Sequence, residues 1–362
     1  MEKIKYRLKE RTGKIEIPEN LGFGKVFTDH MFVMEYDEKK GWHDPVIQPV
    51  ENLSLHPATM FFHYGQGIFE GLKAFKTITG EPVLFRAEDH IKRLNNSARR
   101  LCIPEVDPDF LLNAFVELIS LEKEWLPGKK GEAIYIRPFI FGSDPFLGVR
   151  PSSGYKLIVL LSPVGAYYAE GFKPVKILVQ DNFVRAVRKG MGECKYPGNY
   201  AASLLAQERA HEEGFTQVLW LDGIEQKYIE EVGTMNIFVR FKNEIATPEL
   251  SGSILPGVTR MSVLRILDDW GMNSSERAIS IDEVVSEYKK GNVLEIFGTG
   301  TAAIISSVGL LNYNGKDLTF NNREPGELAI KLFDEITSIQ YGEKDDPYGW
   351  LTYIEKVKES VE

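Results

Sequence analysis

Residues 191–203 read MGECKYPGNYAAS. One lysine, Lys195, stands in a stretch broken by Gly192, Pro197 and Gly198, directly ahead of a run that reads as a helix. Lysine is ordinarily a hydrated surface residue, so one reading is a solvated loop. The other is a buried amine, because desolvation favours the neutral form and leaves it nucleophilic enough for Schiff-base chemistry. Tyr200, five residues on, is either a half-buried aromatic at a helix start or a phenol that reaches a bound group. The rest of the chain has to decide between them.

The bulk properties narrow the field. With 362 residues the chain is long enough for two domains. Its 43% hydrophobic and 26% charged residues are those of an ordinary globular protein. A formal charge of -9, with no basic block to offset it, argues against a nucleic-acid partner. No apolar run approaches the roughly 18 residues of a membrane span, and the basic first residues include Glu2 and Glu10 and lack the apolar core of a signal. Cys102 and Cys194 make no disulfide framework, and neither they nor the six histidines show metal-ligand spacing. A reducing cytoplasm, with no metal, is the expected setting.

The pattern along the chain is α+β in two unequal halves. Up to residue 164, strand-like runs such as AIYIRPFIF and KLIVLL alternate with two helical segments. In the first of these, Ile91, Leu94, Ala98 and Leu101 recur at helical spacing, so Arg93 should leave from another face. The second opens with Asp107 as cap and Pro108 at the first helical position, and Pro127-Gly128 should stop it. Residues 165–175, rich in glycine and proline, read as the linker. Residues 176–362 read as the second domain, and from Val175 on come the strand candidates VKILVQ, QVLWL, NIFVRF and NVLEIF, interleaved with helices after Asn199, from Thr259 and after the capping box of Ser280 and Glu283.

Three further stretches carry chemistry. YIEEVGTMNIF sets Glu230 and Glu231 before a strand-like run, where a buried carboxylate would need a positive partner such as a protonated pyridine nitrogen. SILPGVTRMSV turns tightly into a helix start, whose free amides and dipole suit a phosphate. EIFGTGTAAII matches a loose dinucleotide fingerprint through Gly298, Gly300 and Ala303. The next residues are β-branched and end in the hairpin signal Asn314-Gly315 instead of forming a helix, so the nicotinamide reading is discarded. Thr299 and Thr301 in that turn remain suited to a phosphate or a carboxylate.

In this order, GECKYPGNYAAS, EEVGTMN, LPGVTR and FGTGTA resemble the motifs of the branched-chain amino acid aminotransferases, pyridoxal 5′-phosphate enzymes of fold type IV. The resemblance runs from GFGKVFTDHM near residue 22 to about residue 312. It implies a small α/β domain and a larger β-barrel-like domain with helices, a homodimer with active sites near the subunit contact, and transfer of the amino group of leucine, isoleucine or valine to 2-oxoglutarate. It also implies roles for residues. Lys195 would form the covalent imine with the cofactor, Tyr200 would bond the cofactor phenolate oxygen, and Glu231, rather than Glu230, would pair with the pyridine nitrogen. Arg93, Val258, Thr259 and Thr301 would hold the phosphate. Phe23, Tyr64, Phe69, Tyr135, Arg137, Tyr167, Thr301 and Ala302 would meet the substrate. Pro197 stands where the motif usually has glycine, and Ala303 and Ser306 stand where some animal relatives have a cysteine pair, so thiol regulation is not implied there. A D-amino acid transaminase and an aminodeoxychorismate lyase share the fold, and a non-catalytic cofactor-binding protein is a different class. Tyr135 and Arg137 in IYIRP, with the long N-terminal extension, favour the branched-chain enzyme.

Overall fold

Runs of β-branched and aromatic residues make strands the dominant element in both halves of the computed structural model, which describes residues 2–9, 15–165 and 172–354. Two units emerge, Met1–Tyr167 together with Ser338–Glu362, and Tyr168–Thr337. No helix among the described residues is long and apolar enough to cross a membrane.

The first unit is built on a nine-stranded, mostly antiparallel sheet. Its central strand Ala133–Gly142 pairs along its length with Gly154–Val164 and on the other side with Leu72–Lys76 and Gly67–Phe69. Because side chains alternate along a strand, Ile134, Ile136 and Ile140 enter the core while Tyr135 and Arg137 face the other way. Helices Ala87–Arg100 and Pro108–Leu121 cover the core face through Ile91, Leu94, Ala98, Leu111 and Phe115. Asp107 caps the second helix by accepting the Phe110 N–H at 2.9 Å. That helix stops at Leu121, short of Pro127, and the next residue, Glu122, turns inward onto buried His30.

The second unit contains a closed ring. In the order Ile229–Val232, Gln217–Leu221, Val175–Gln180, Ile304–Tyr313, Val293–Gly300 and Met235–Phe241, each strand pairs with the next, and the last pairs back to the first. A short edge of Ile245–Thr247 and Ser274–Glu276 hangs from this barrel. Its interior is apolar, with Ile177, Leu219, Val232, Ile237, Val239 and Ile296 among the buried residues. Ser280 caps the helix Ile281–Lys289 by accepting the Glu283 N–H. Asn314 and Gly315, both at positive φ, turn the Ile304–Tyr313 strand back into Lys316–Thr319.

One boundary differs from the reading of 176–362 as a single domain. Ser338–Glu362 groups with the first unit, and the helix Glu327–Gln340 spans the division. The reason is a late strand: Leu351–Tyr353 pairs antiparallel with Pro82–Phe85, Ile354 is buried in the first core, and the Tyr341 hydroxyl donates to the Glu132 carbonyl. Of the linker expected at 165–175, residues 166–171 lie outside the described residues, and Val175 already begins a barrel strand.

Candidate active site

The lysine loop is shaped by local chemistry. Pro197 takes the first position of helix Pro197–Glu212, where its missing N–H costs nothing and its fixed φ is already helical. That is how the chain accommodates proline at the usual glycine position. Asn199 folds the loop onto itself, donating from Nδ2 to the Met191 carbonyl at 2.8 Å and the Cys194 carbonyl at 3.2 Å. Gly192 is required by its neighbour, since a Cβ there would sit 2.0 Å from the Ser253 carbonyl oxygen. Lys195 comes out half-buried, and its Nζ donates to the Tyr200 hydroxyl at 2.9 Å.

Across the barrel wall, register sets a row. Glu231 stands opposite Asn236, and Asn236 opposite Thr299, so all three side chains share one face. Glu231 is 3% exposed. Its Oε1 accepts the Leu255 N–H at 2.9 Å and an Asn236 Nδ2–H at 3.3 Å. Its Oε2 lies 2.8 Å from Arg185 Nε, but the N–H is not aimed along that line, so the contact is one of charge and not a directed hydrogen bond. Burial pushes the carboxyl above the ordinary range, and neighbouring Glu230 adds to this, while Arg185, the Leu255 N–H and Lys195 pull against it. The Thr299 hydroxyl is buried with no hydrogen-bond partner among the described residues.

Arg185, Asn199, Tyr200, Glu231 and Leu255 line a pocket that is open to solvent at its mouth. Val258 and Thr259, both buried, begin the helix Val258–Asp269 behind Pro256-Gly257. That start is tied to the row, since a Cβ on Gly257 would sit 1.9 Å from Asn236 Oδ1. Thr301 and Ala302 form the half-buried turn between Val293–Gly300 and Ile304–Tyr313. Ile304 closes the turn at φ 64, a conformation that costs a β-branched residue roughly 1–3 kcal/mol and is typical of functional turns.

The first unit carries its own cluster. Tyr135 and Phe23 meet edge to face at 4.9 Å between centroids. The Arg137 guanidinium lies 4.9 Å from the Phe69 ring centre, and its Nη2 donates to the Tyr135 hydroxyl at 3.2 Å. Its Nε is buried without a hydrogen-bond partner among the described residues. Gly71 makes room for this, because a Cβ there would sit 1.7 Å from Tyr135 Oη. Arg93 is held differently: Nε and Nη2 grip the two oxygens of buried Glu70 at 2.6 and 2.9 Å, and His90 adds a contact at 3.0 Å. Burial alone would raise the Glu70 carboxyl, but Arg93 and His90 outweigh it and hold the group far below the carboxylate range. Tyr64 stands apart from the Phe23–Arg137 cluster, exposed at the end of helix Met60–Tyr64 with its hydroxyl donating to the Leu147 carbonyl. Tyr167 lies outside the described residues.

A family model described as amino-transferase class IV matches residues 67–309. The chain belongs to the class IV aminotransferases. It is 54% identical over 343 residues, 95% of this chain and 94% of the relative, to branched-chain-amino-acid aminotransferase 2 of Bacillus subtilis strain 168. It is 50% identical to branched-chain-amino-acid transaminase 1 of the same strain, over 93% of this chain and 95% of that one. Among solved structures, the branched-chain amino acid aminotransferase of Escherichia coli superposes with a TM-score of 0.73 at 26% identity, covering 90% of this chain and 99% of that one. The T.th. branched-chain amino acid aminotransferase complexed with N-(5′-phosphopyridoxyl)-L-glutamate gives a TM-score of 0.74 at 26% identity, covering 91% of this chain and 100% of that one. The class IV match takes in Arg93, Lys195, Glu231 and Thr301, while Phe23 and Tyr64 precede it.

Sequence reasoning missed Arg185, Asn236 and Glu70. Arg185 sits ten residues before Lys195 in a run that also holds Arg188 and Lys189, and there it reads as solvated charge. Asn236, inside the GTMN motif, carried no charge to draw notice, and Glu70 in FEG reads as one more surface acid.

Proposed function

We propose that the chain is a pyridoxal 5′-phosphate-dependent transaminase that moves the amino group of L-leucine, L-isoleucine or L-valine reversibly to 2-oxoglutarate. The observation that carries this is the pairing of the Lys195 amine with Tyr200, itself on the wall of a pocket that Glu231 also lines. The names of the relatives support the substrate class, and the pyridoxyl and pyridoxamine phosphate complexes of solved neighbours support the cofactor.

The residues fit that cofactor. A buried carboxyl held above its ordinary range gains a matching charge from a protonated ring nitrogen, and the partnerless Thr299 hydroxyl on the same face offers a donor to a bound anion. When bound, the cofactor supplies the carbonyl that takes the amino group and the ring that accepts the charge left by the lost α-proton. Glu231 would face the ring nitrogen and favour its protonated form. Lys195 Nζ takes the α-proton and returns it on the other side of the transfer, with Tyr200 fixing the amine's direction. Arg93, Val258, Thr259 and Thr301 would each offer donors to the phosphate, and Glu70 fixes the plane of the Arg93 guanidinium. Phe23, Phe69 and Tyr135 give an apolar surface to a branched side chain, while Arg137 meets the second carboxylate of glutamate; Ala302, Tyr64 and Tyr167 complete the substrate set.

The same reading makes the chain a cytoplasmic homodimer. Phe62 and Tyr64 on the helix Met60–Tyr64, and Phe146, Leu147 and Val149 on the loop whose Leu147 carbonyl Tyr64 bonds, are exposed in the first unit, and such a patch supports a subunit contact there. Adding L-leucine to the purified yellow protein should change the cofactor spectrum and release up to one equivalent of the matching 2-oxo acid, with continued release once 2-oxoglutarate is present to take the amino group back. A spectral change with D-alanine and none with leucine would favour the D-amino acid transaminase. No change with any amino acid would favour a protein that only binds the cofactor.

A further inference from the structure

Successive residues of a strand face opposite ways, so Glu230 and Glu231 should part company. They do not. Where Ile229–Val232 pairs with Gln217–Leu221, Trp220 stands opposite Glu231 and Leu221 opposite Ile229, which leaves Glu230 as the extra residue of a bulge. A bulge re-aims the side chain it carries. Both carboxylates therefore reach one short segment: Glu231 Oε1 takes the Leu255 N–H, and Glu230 Oε1 takes the Ser253 hydroxyl. Glu230 is 3% exposed, and its Oε2 has no hydrogen-bond partner among the described residues. A buried, half-satisfied carboxyl is a cost that an apolar residue would not carry.

Ser253 shows what the cost supports. It is fully buried, its hydroxyl meets that of Ser251 at 2.9 Å, and its carbonyl accepts from Arg185 Nη2. The same Nη2 donates to the Gly192 carbonyl at 3.1 Å, and the Gly192 Cα packs against the Ser253 carbonyl too closely for any side chain. Lysine loop, acidic strand and the segment that leads to Val258 and Thr259 meet at this one residue.

We propose that Glu230 is a positioning residue: acting through Ser253, it fixes segment 253–259, so that Glu231 and the helix start stay in register with the lysine loop. This rests on the cofactor roles proposed for Glu231, Val258 and Thr259. Arg185, Arg188, Asp222 and neighbouring Glu231 are charges that face Glu230, and a proton on the acid does not undo the strut, because the remaining carbonyl oxygen still accepts from Ser253.

The test is the dissociation constant of pyridoxal 5′-phosphate for the full chain, measured by absorbance after equilibrium dialysis. Glu230→Ala and Ser253→Ala should each weaken binding about tenfold. The double variant should be no weaker than the worse single one, because both changes remove the same interaction. Glu230→Gln keeps an oxygen that accepts from Ser253 and should stay within about threefold of the parent. Near-UV circular dichroism of each apoprotein identifies a variant that fails to fold, in which case Ser253→Ala, the smaller change, decides. Glu231→Gln and Thr259→Ala are measured alongside. If those two leave binding unchanged, the underlying cofactor roles are wrong; if they weaken it while Glu230→Ala and Ser253→Ala do not, the strut alone is overturned. Losses that multiply in the double variant, or a Glu230→Gln as damaging as Glu230→Ala, would also overturn it.

Discussion

Two buried glutamates each lie against an arginine, and they come out on opposite sides of the ordinary carboxylate range. Glu70 is gripped by Nε and Nη2 along one side of the Arg93 guanidinium and touched by His90, and its carboxyl is held far down. Glu231 meets Arg185 through a misdirected Nε, has Glu230 as its neighbour in sequence, and is pushed up. Burial is similar in the two, so the difference lies in geometry. The first pair is finished within the chain. The second has a cation beside it but no charged donor aimed at it, and we infer that the cofactor's ring nitrogen completes it.

The largest effect that sharpens this contrast comes from a residue in neither pair. Lys195→Ala leaves both intact and should cost at least about 10²–10⁴-fold in turnover, the size of losing a positioned general base, with the yellow colour of the bound cofactor lost or altered. Normal multiple-turnover transamination in that variant would remove the reason for treating the Glu231 pocket as the active site.

Breaking the finished pair should appear as lost stability. Glu70→Gln leaves Arg93 buried without its anion, a change that costs about 3–5 kcal/mol, read as a lowered denaturation midpoint of the apoprotein. The sign of the pH dependence comes from the depressed carboxyl. The stability that Glu70 contributes is present above the unfolded carboxylate range and is lost as pH falls toward the folded value, so wild type and Glu70→Gln should converge in acid. Glu231 runs the other way. Its folded state binds the proton more tightly, so its contribution falls as pH rises through and above the ordinary carboxylate range, and Glu231→Gln should remove that fall from the apoprotein. If the two variants show pH profiles of the same sign, the contrast is wrong.

A smaller effect tests the substrate cluster. Arg137→Met removes the charged partner proposed for the second carboxylate of the dicarboxylic substrate, so single-turnover conversion of glutamate should slow about tenfold to hundredfold, with leucine far less affected. Equal losses would make Arg137 a structural residue of the Tyr135–Phe69 cluster, or a partner of the carboxylate common to all substrates.

What the sequence made legible is what neighbouring residues decide. Asp107 and Pro108, Ser280 and Glu283, and Asn314-Gly315 act within a few residues, and each element begins or turns where they stand. Tyr200 and Glu231 line one pocket, and Lys195 bonds the Tyr200 hydroxyl, for the same reason, since loop and strand present them directly. Distant partners were not legible. The helix ending at Leu121 answers to a contact between Glu122 and His30, 92 residues apart in sequence, and the strand Leu351–Tyr353 completes a sheet begun at the other end of the chain. Arg185 could not be told from its basic neighbours without Glu231 beside it, and the bulge that turns Glu230 inward exists only in the pairing of two strands. Tyr64 carries a motif position, yet its surroundings in a single chain are solvent and the Leu147 carbonyl.

The central claim, that Glu231 is an incomplete pair finished by the cofactor, is tested most directly by the single-turnover rate of L-leucine with Glu231→Gln beside Glu230→Gln. The shape of the side chain is kept and only the charge is lost. The Glu231→Gln rate should fall about 10²–10³-fold, the size of removing one preorganised electrostatic partner, with an apoprotein no less stable than wild type at neutral pH, while Glu230→Gln stays near wild type. Equal rates in the two variants, or a Glu231→Gln that loses stability and keeps its rate, would contradict it.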